Sequence, residues 1–295
     1  MNDVDMIALI IVLFNPSQED IDYIYDISAE YSGVVVDNSA TRNFEGDQIG
    51  KMHYIPLMEN TGIAHAQNVA IQFVQNTIHP KYILFFDQDS RCDKEFPLRM
   101  IAEYEIIKKD VPSLAMLGPT IVNNETGEAY KSCLHSDSRM ANGFVTRREI
   151  ISSGSLVGAD SLKTVGSMLS SMFIDFVDFE WCWRARNKGF VCGVTENVSI
   201  SHKVGVKDKT IGKYSLMVWK PFRYYYQYRN YIWLSLTCYT PWQWRVATGV
   251  KFLLRLIYFP LFISDGLNCW KQMLKGIRSS ISGYAQFRKE MRSYA

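Results

Sequence analysis

Two unbroken apolar runs dominate the pattern of the chain. Residues 7–14 are β-branched, aliphatic and aromatic until Asn15-Pro16, and Tyr82-Ile83-Leu84-Phe85-Phe86 runs straight into Asp87-Gln88-Asp89. Continuous runs of this length, closed by turn residues, predict strands buried on both faces. Between them the period changes. Ser17-Gln18-Glu19-Asp20 has the form of a capping box and predicts a helix to about Glu30. Gly33-Val34-Val35-Val36 predicts a short strand ending at Asp37-Asn38-Ser39, and a third strand is expected around Tyr54-Ile55. After Asn60-Thr61-Gly62, residues 63–74 carry apolar positions at helical spacing. This order predicts an α/β fold with a mainly parallel sheet flanked by helices, Rossmann-like, with ligands at the carboxyl ends of the strands. Downstream, a helix is expected from about Asp178 to Asn187, stopped by Gly189, and a strand over residues 197–201. Helices are expected around Tyr224-Tyr225-Tyr226-Gln227-Tyr228-Arg229-Asn230 and from Trp242 onward.

Charge divides the chain in two. Residues 218–295 hold 12 of the 32 Lys and Arg, only Asp265 and Glu290 of the 30 acids, and 19 of the 40 aromatics. They carry +10 (12 minus 2), and residues 1–217 carry −8 (20 minus 28). The expected division is therefore a nucleotide-binding and catalytic unit over 1–217 and a helical, basic, aromatic-rich region over 218–295. The acidic first part argues against a continuous nucleic-acid track. In the second part Trp244, Phe252, Leu253, Leu256, Ile257, Phe259 and Phe262 alternate with Arg245, Lys251 and Arg255, the composition of a helix lying in a membrane interface or of an oligomer contact. The apolar run 256–263, broken by Pro260, falls short of the roughly 20 residues of a spanning helix. The acidic start Asn2-Asp3-Val4-Asp5 is unlike a signal peptide, and the six cysteines form no Cys-x-x-Cys pair. Reduced thiols and a cytoplasmic, peripheral location are expected.

The acids gain meaning from their placement. In a parallel sheet the ends of the strands carrying Asp37 and Asp87-Gln88-Asp89 share an edge, and hard carboxylate oxygens suit Mg²⁺ or Mn²⁺. Taken alone, Asp-Gln-Asp-Ser is equally a polar turn. The small residues of Asn60-Thr61-Gly62-Ile63-Ala64-His65-Ala66-Gln67-Asn68 allow an anion close to a helix start. Asp178 sits at a helix mouth, with Glu180 and Arg184 four apart on one face. Lys203, Lys207, Lys209 and Lys213, spaced by Gly205 and Gly212, read as a cationic loop able to close over phosphates.

In this order, from Asp37-Asn38 through Asn60-x-Gly-x-Ala-x-x-x-Asn68, Phe85-Phe86-Asp87-Gln88-Asp89, Ser153-Gly154-Ser155-Leu156 and Asp178-Phe179-Glu180-Trp181-Cys182-Trp183-Arg184 to His202, the sequence resembles the inverting family-2 glycosyltransferases of the GT-A fold. It looks most like their bacterial rhamnosyltransferase branch. The resemblance covers about the first 205 residues. It implies Asp37 at the nucleotide base, Asp87 near the ribose, Asp89 with His202 on a divalent metal, and Asp178 as catalytic base. With them Asn15, Asn38, Asn60, Gly62, Asn68, Gln88, Lys203 and Lys207 are candidates for the nucleotide site, and Ser153, Gly154, Glu180, Trp181, Arg184, Tyr228 and Arg229 for the substrate. Many relatives carry Glu-Asp where this chain has Val177-Asp178, so Asp175 and Glu180 stay open as alternative bases. The implied reaction moves a sugar from a nucleotide-sugar donor, with dTDP-L-rhamnose favoured and UDP-hexose or UDP-galactofuranose as alternatives. The implied acceptor is a lipid-linked saccharide of a surface polysaccharide at the inner membrane. A homo-oligomer is compatible with this picture.

A sugar nucleotidyltransferase would share the sheet, but Phe14-Asn15-Pro16-Ser17 lacks the expected Gly-rich loop. A non-catalytic membrane-binding protein would use the basic end without needing Asp89 or Asp178.

Overall fold

A computed structural model describes residues 6–123, 138–202, 207–211 and 214–294, with the backbone alone at residues 123, 201, 202, 207–211 and 214–217. Strands β1 (Ile7–Leu13), β2 (Gly33–Asp37), β3 (Gln48–Ile49), β4 (Met52–Pro56), β5 (Tyr82–Asp87), β6 (Leu114–Asn123), β7 (Phe144–Arg147), β8 (Leu156–Gly158) and β9 (Val191–His202) form one sheet in the order β3-β4-β2-β1-β5-β8-β6-β9-β7. The expected parallel arrangement holds across β4-β2-β1-β5 and again for β6 and β9. Elsewhere pairing is antiparallel, because β8 inserts between β5 and β6 in the reverse direction and β7 and β3 close the edges likewise. The sheet is therefore mixed.

The two opening runs are continuous because both faces of the central strands are covered. Ala8, Ile10 and Val12 of β1 and Ile83 and Phe85 of β5 join one cluster with helices α2 (Ile63–Thr77) and α5 (Val177–Asn187). Odd and even partners Ile7, Leu9, Ile11, Leu84 and Phe86 face a second cluster with α1 (Gln18–Ser28) and α3 (Phe96–Asp110). Alternation by two thus distributes one apolar run between two cores. At α1, Ser17 and Asp20 form the reciprocal capping box that their spacing predicts. The strand expected over 197–201 is longer. β9 starts at Val191, and its register with β6 jumps from Gly118↔Val194 to Thr120↔Ser199. That bulge places the polar Glu196-Asn197 step, which hid the first half of the strand from its apolar pattern.

The chain continues through a short helix α4 (Ala159–Val165), which precedes α5, and a hairpin of β10 (Lys207–Ile211) and β11 (Tyr214–Met217). The segment read as a cationic loop is thus, where its backbone is described, an antiparallel pair. Three helices follow: α6 (Pro221–Ser235), α7 (Trp242–Phe262) and α8 (Gly266–Arg292). Pro260 lies inside α7 and does not end it. Trp233, Leu234, Trp244 and Phe287 of these helices enter the same cluster as α2 and α5. Tyr224, Tyr228, Phe252, Phe259 and Met273 form a further cluster among α6, α7 and α8. Cys92, Cys182, Cys192, Cys238 and Cys269 are free thiols. Among the described residues no helix is long and apolar enough to cross a membrane.

Candidate active site

The carboxyl ends of β2, β1 and β5 lie side by side. Leu13 pairs with Asp37 on one flank, and Val12 with Asp87 on the other. At a strand spacing of about 4.8 Å, Asp37 and Asp87 stand roughly 10 Å apart across β1. Asp87 and Gln88 are half-buried there and Asp89 is exposed. Several contacts fix the turn that follows. The Phe14 N–H donates to Gln88 Oε1 at 2.7 Å, tying the ends of β1 and β5 together. Arg91 donates to the Gln88 carbonyl at 2.6 Å and to Asp20 at 2.5 Å, with its guanidinium 4.7 Å from the Tyr23 ring. Burial opposes ionisation of Asp20, yet Arg91 and the Ser17 donors outweigh it and hold its carboxyl below the ordinary value. Behind the turn, the Ser90 and Ser153 hydroxyls are hydrogen-bonded, and Gly154 N–H donates to the Phe85 carbonyl at 2.7 Å. Gly154 has φ +74, and a Cβ there would lie 3.1 Å from Pro119. Ser153-Gly154 is therefore the buried support of the acidic turn.

Asp178 enters from the other side, in the first turn of α5. Its carboxylate accepts from the Phe179 N–H at 3.0 Å, and the residue is half-buried. Burial pushes this carboxyl up to about 7, the nearby charge of Asp87 adds to the rise, and N–H donors of Phe179 and Ser152 oppose it. The structure thus brings Asp87, Asp178 and the 152–155 segment to one place, although they are far apart in sequence. A carboxylate that titrates near neutrality is suited to general-base work.

The two alternative acids are engaged elsewhere. Asp175 pairs with Arg223 at 2.5 Å. Glu180 is fully buried, accepts from Arg184 Nε at 2.9 Å and from the Tyr239 hydroxyl at 2.6 Å, and Arg184 also donates to the carbonyls of Val165 and Ser167 at 2.7 Å each. The spacing-based pairing of Glu180 with Arg184 is present. Their expected contact with substrate gives way to an internal brace for α5, because neither side chain reaches the edge. Trp181, expected at the substrate, is likewise buried, its indole N–H donating to the Gly166 carbonyl at 2.8 Å. The helix N-cap is Phe176 in a left-handed conformation, so Asp178 is free of a capping role.

The segment ahead of Asp178 is unusual. Phe173, Asp175 and Phe176 all have positive φ (64°, 68° and 66°), a conformation that costs non-glycine residues of order 1 kcal/mol or more each. Helix α6 holds it in place. Asn230, fully buried, donates to the carbonyls of Met172 and Ile174 at 2.9 Å and of Asp175 at 3.1 Å. Arg229 donates to the carbonyls of Ser171 and Met172 at 2.7 and 3.0 Å, with Trp233 4.3 Å below its guanidinium. The Phe173 ring stacks on Tyr226 at 4.4 Å. Arg229 was expected to meet substrate; its Nη2 group is turned onto this segment, and its Nε donates to Asn230 Oδ1 at 3.1 Å. Tyr228, also expected there, is buried with its hydroxyl on the Phe252 carbonyl at 2.7 Å. Asn230 and Arg91, the residues that grip the two halves of the site, are polar side chains whose importance lies in carbonyl partners that sequence spacing does not reveal.

On the β2 side Asp37 is fully buried, accepting from the Ser39 N–H at 3.0 Å, Asn43 at 2.8 Å and Tyr54 at 2.6 Å. These bonds fix Asp37 in the floor of the edge. Asn38 accepts from the Thr61 N–H at 2.8 Å and donates to Asn60 at 3.0 Å, linking β2 to the start of α2. Asn60 and Asn15 remain exposed, Asn15 in a left-handed conformation with its N–H on Ser39 Oγ at 2.8 Å. Gly62 has φ +87, and a Cβ would lie 2.6 Å from the Phe173 ring, so glycine is required where α2 meets the segment before Asp178. Asn68 bridges to the same region, with its amide on the Met168 carbonyl and Ser170 Oγ at 2.8 Å each.

Asp89 is the exposed hard-oxygen donor at the edge, with Asp87 beside it in sequence, and this donor chemistry fits Mg²⁺ or Mn²⁺. Among the described residues no group of three or more His, Cys, Asp and Glu side chains is poised around a metal. Lys203 and the side chains of His202 and Lys207 lie outside the described residues.

No family model matches the chain. It is 29% identical over 289 residues, 94% of its length and 95% of the relative's, to the dTDP-rhamnosyl transferase RfbF of Shigella flexneri. It is 24% identical over 233 residues, 74% of each protein, to the low-salt glycan biosynthesis hexosyltransferase Agl10 of Haloferax volcanii. Among solved structures, TarS 1-349 of S. aureus matches with TM-score 0.55 at 13% identity, covering 95% of this chain and 91% of that one. GalNAc-T7, solved with UDP, GalNAc and Mn²⁺, matches with TM-score 0.55 at 10% identity, covering 98% of this chain and 58% of that one. Both structural neighbours have the GT-A fold. With the mixed sheet and acidic strand edge already described, these similarities give the chain the glycosyltransferase GT-A fold and make it a homologue, over nearly all of its length, of a bacterial dTDP-rhamnosyl transferase.

Proposed function

We propose that the protein is a metal-dependent inverting glycosyltransferase that moves L-rhamnose from dTDP-L-rhamnose to a hydroxyl of a lipid-linked glycan in surface polysaccharide synthesis, at the cytoplasmic face of the membrane. The observation that carries the mechanism is Asp178, the one acid of three candidates in α5 and its approach that is held by backbone N–H groups and not by an arginine, lying beside Asp87 with a carboxyl near neutrality. The donor is supported by the named activity of the Shigella relative.

In this reading the nucleotide lies along the ends of β1, β2 and β5, and the acceptor hydroxyl approaches Asp178. The hydroxyl oxygen forms the new bond at the anomeric carbon, its proton passes to Asp178, and the bond to the diphosphate breaks with its electron pair staying on the departing dTDP. One displacement inverts the anomeric centre, and no covalent enzyme nucleophile is required. Asp89, with His202, would hold Mg²⁺ or Mn²⁺, which neutralises the negative charge of the leaving diphosphate.

The test is incubation of the purified protein with dTDP-L-rhamnose, UDP-glucose or UDP-galactofuranose, with membrane-extracted acceptor, in Mn²⁺, Mg²⁺ or chelator. The expected result is release of dTDP and labelling of the lipid fraction with dTDP-L-rhamnose only, abolished by chelator. Turnover of a UDP-sugar in its place would replace the donor, and release from no donor would overturn the catalytic reading.

A further inference from the structure

Helix α7 has a second face that no part of the described chain covers. Trp244, Phe252 and Phe259 point inward, whereas Trp242, Val246, Val250, Leu253, Ile257 and Leu261 are each 54–71% exposed. Their spacing of three or four residues places them in one row along the helix. A row of large apolar side chains this long exceeds the scattered exposed residues normal for a monomer and marks an interaction surface. At about 1.5 Å per residue, the helix lays this row over roughly 30 Å.

Charge decides which partner fits. Residues 218–264 contain no Asp or Glu, Asp265 stands at the start of α8, and of the α7 cations Lys251 is exposed, whereas Arg255 is buried against Gln227 and Arg245 turns onto the carbonyls of Thr237 and Thr240. On α8, which packs against both α6 and α7, the outward positions Lys271, Lys275 and Arg278 form a cationic row flanked by Leu267 (62% exposed) and Ile281 (81% exposed). The one acid of α8, Glu290, is engaged with the N–H groups of Ser170 and Ser171. A two-fold contact between copies would bring such a cationic surface against itself. An anionic bilayer neutralises it, and apolar side chains beside cations are what an interfacial helix presents to headgroups and acyl chains.

We propose that α7 and α8 dock the protein on an anionic lipid bilayer, with the Trp242–Leu261 row of α7 lying in the plane of the interface and the cations of α8 on the headgroups. The inward face of α7 connects this surface to the chemistry. Trp244 and Phe252 pack on Phe176 at ring distances of 5.1 and 6.5 Å, two residues ahead of Asp178. Docking therefore sets the base-bearing segment directly behind the lipid-facing helix. This role for the surface rests on the reading that the acceptor is lipid-linked, whereas lipid binding itself requires no sugar donor.

The test is flotation of the full-length protein with vesicles of phosphatidylcholine alone or mixed with phosphatidylglycerol, for the native sequence, for L253E/I257E and for K271Q/R278Q. Dispersity is checked in parallel by analytical ultracentrifugation. The expected result is binding to the mixed vesicles only, weakened by salt, and lowered roughly ten-fold in each double variant. Both variants should retain the fold and the unaltered rate of transfer to a soluble acceptor fragment, since the changed side chains face away from the site. Equal binding to neutral vesicles, binding unaffected by the substitutions, or a concentration-dependent dimer without vesicle binding overturns the proposal. Donor turnover without vesicle binding refutes the docking surface alone, and vesicle binding without turnover of any donor refutes the enzymatic reading alone.

Discussion

Replacing Asp178 by Asn should stop catalysis and stabilise the protein, and the second effect follows from the same burial that tunes the first. The carboxyl is raised from the ordinary 3.8 to about 7 by burial and by Asp87. Between these values the folded chain keeps a proton that the unfolded chain has released, so folding stability falls as pH rises through this window. Below about pH 4 both states are protonated and the penalty is absent; above about pH 7 it is complete. Full conversion of the shift gives about 4 kcal/mol. The residue is half-buried, and screening by the solvent it meets reduces the expected penalty to roughly 2 kcal/mol. Asn has nearly the same shape, retains the oxygen that accepts from Phe179 N–H, and cannot ionise. Thermal melts of D178N and the native protein should therefore differ by roughly 4 °C in favour of the variant at pH 8, with the gap closing near pH 4. Transfer should be abolished with donor affinity intact. An equal or lower melting temperature at pH 8, or a difference independent of pH, would refute the electrostatic reasoning, and near-native turnover would refute the role of Asp178 as base.

N230A removes the buried amide whose two N–H groups are shared among three carbonyls of the strained segment before Asp178 and should cost roughly 2–3 kcal/mol. Its kcat should fall at least ten-fold while donor binding, measured by calorimetry, stays within a factor of two. E180Q leaves Arg184 charged and buried with its ionic partner gone, and urea denaturation should show a loss of about 3–5 kcal/mol. G62A meets both a positive φ and the Phe173 ring, so its chevron or melt should show destabilisation of roughly 2 kcal/mol or more, unlike an alanine at the open Gly46 turn's neighbour Glu45. In D89N, the Mn²⁺ concentration for half-maximal transfer should rise well above that of the native protein, and an unchanged metal response would remove Asp89 from the metal site.

Much of the nucleotide-edge half of the fold was legible in the sequence because its signals are local. The runs of β1 and β5 are closed by turn residues, Ser17 and Asp20 cap α1 over three residues, and Gly62 marks a backbone that no other residue fits. The direction of β8 was not legible, since Leu156-Val157-Gly158 reads alike in a parallel or an antiparallel ladder. The candidate site divided along the same line. Asp178 and Glu180 carry the same charge two residues apart, and only the fold distinguishes them: one faces the strand edge, the other meets Arg184 and Tyr239 in the interior. Trp181, Tyr228 and Arg229 look like sugar-binding side chains by type, yet their polar atoms end on carbonyls of Gly166, Phe252 and Met172. Partners such as these are 15 to 57 residues away in the chain, beyond any periodicity.

The most direct test of the central claim is the stereochemistry of a single turnover. With dTDP-L-rhamnose, Mn²⁺ and a soluble acceptor fragment, proton NMR of the first product should show the anomeric configuration opposite to that of the donor, with one dTDP released per sugar transferred and no product from D178N. A product of retained configuration, or D178N forming the same product at a native rate, would contradict direct displacement assisted by Asp178.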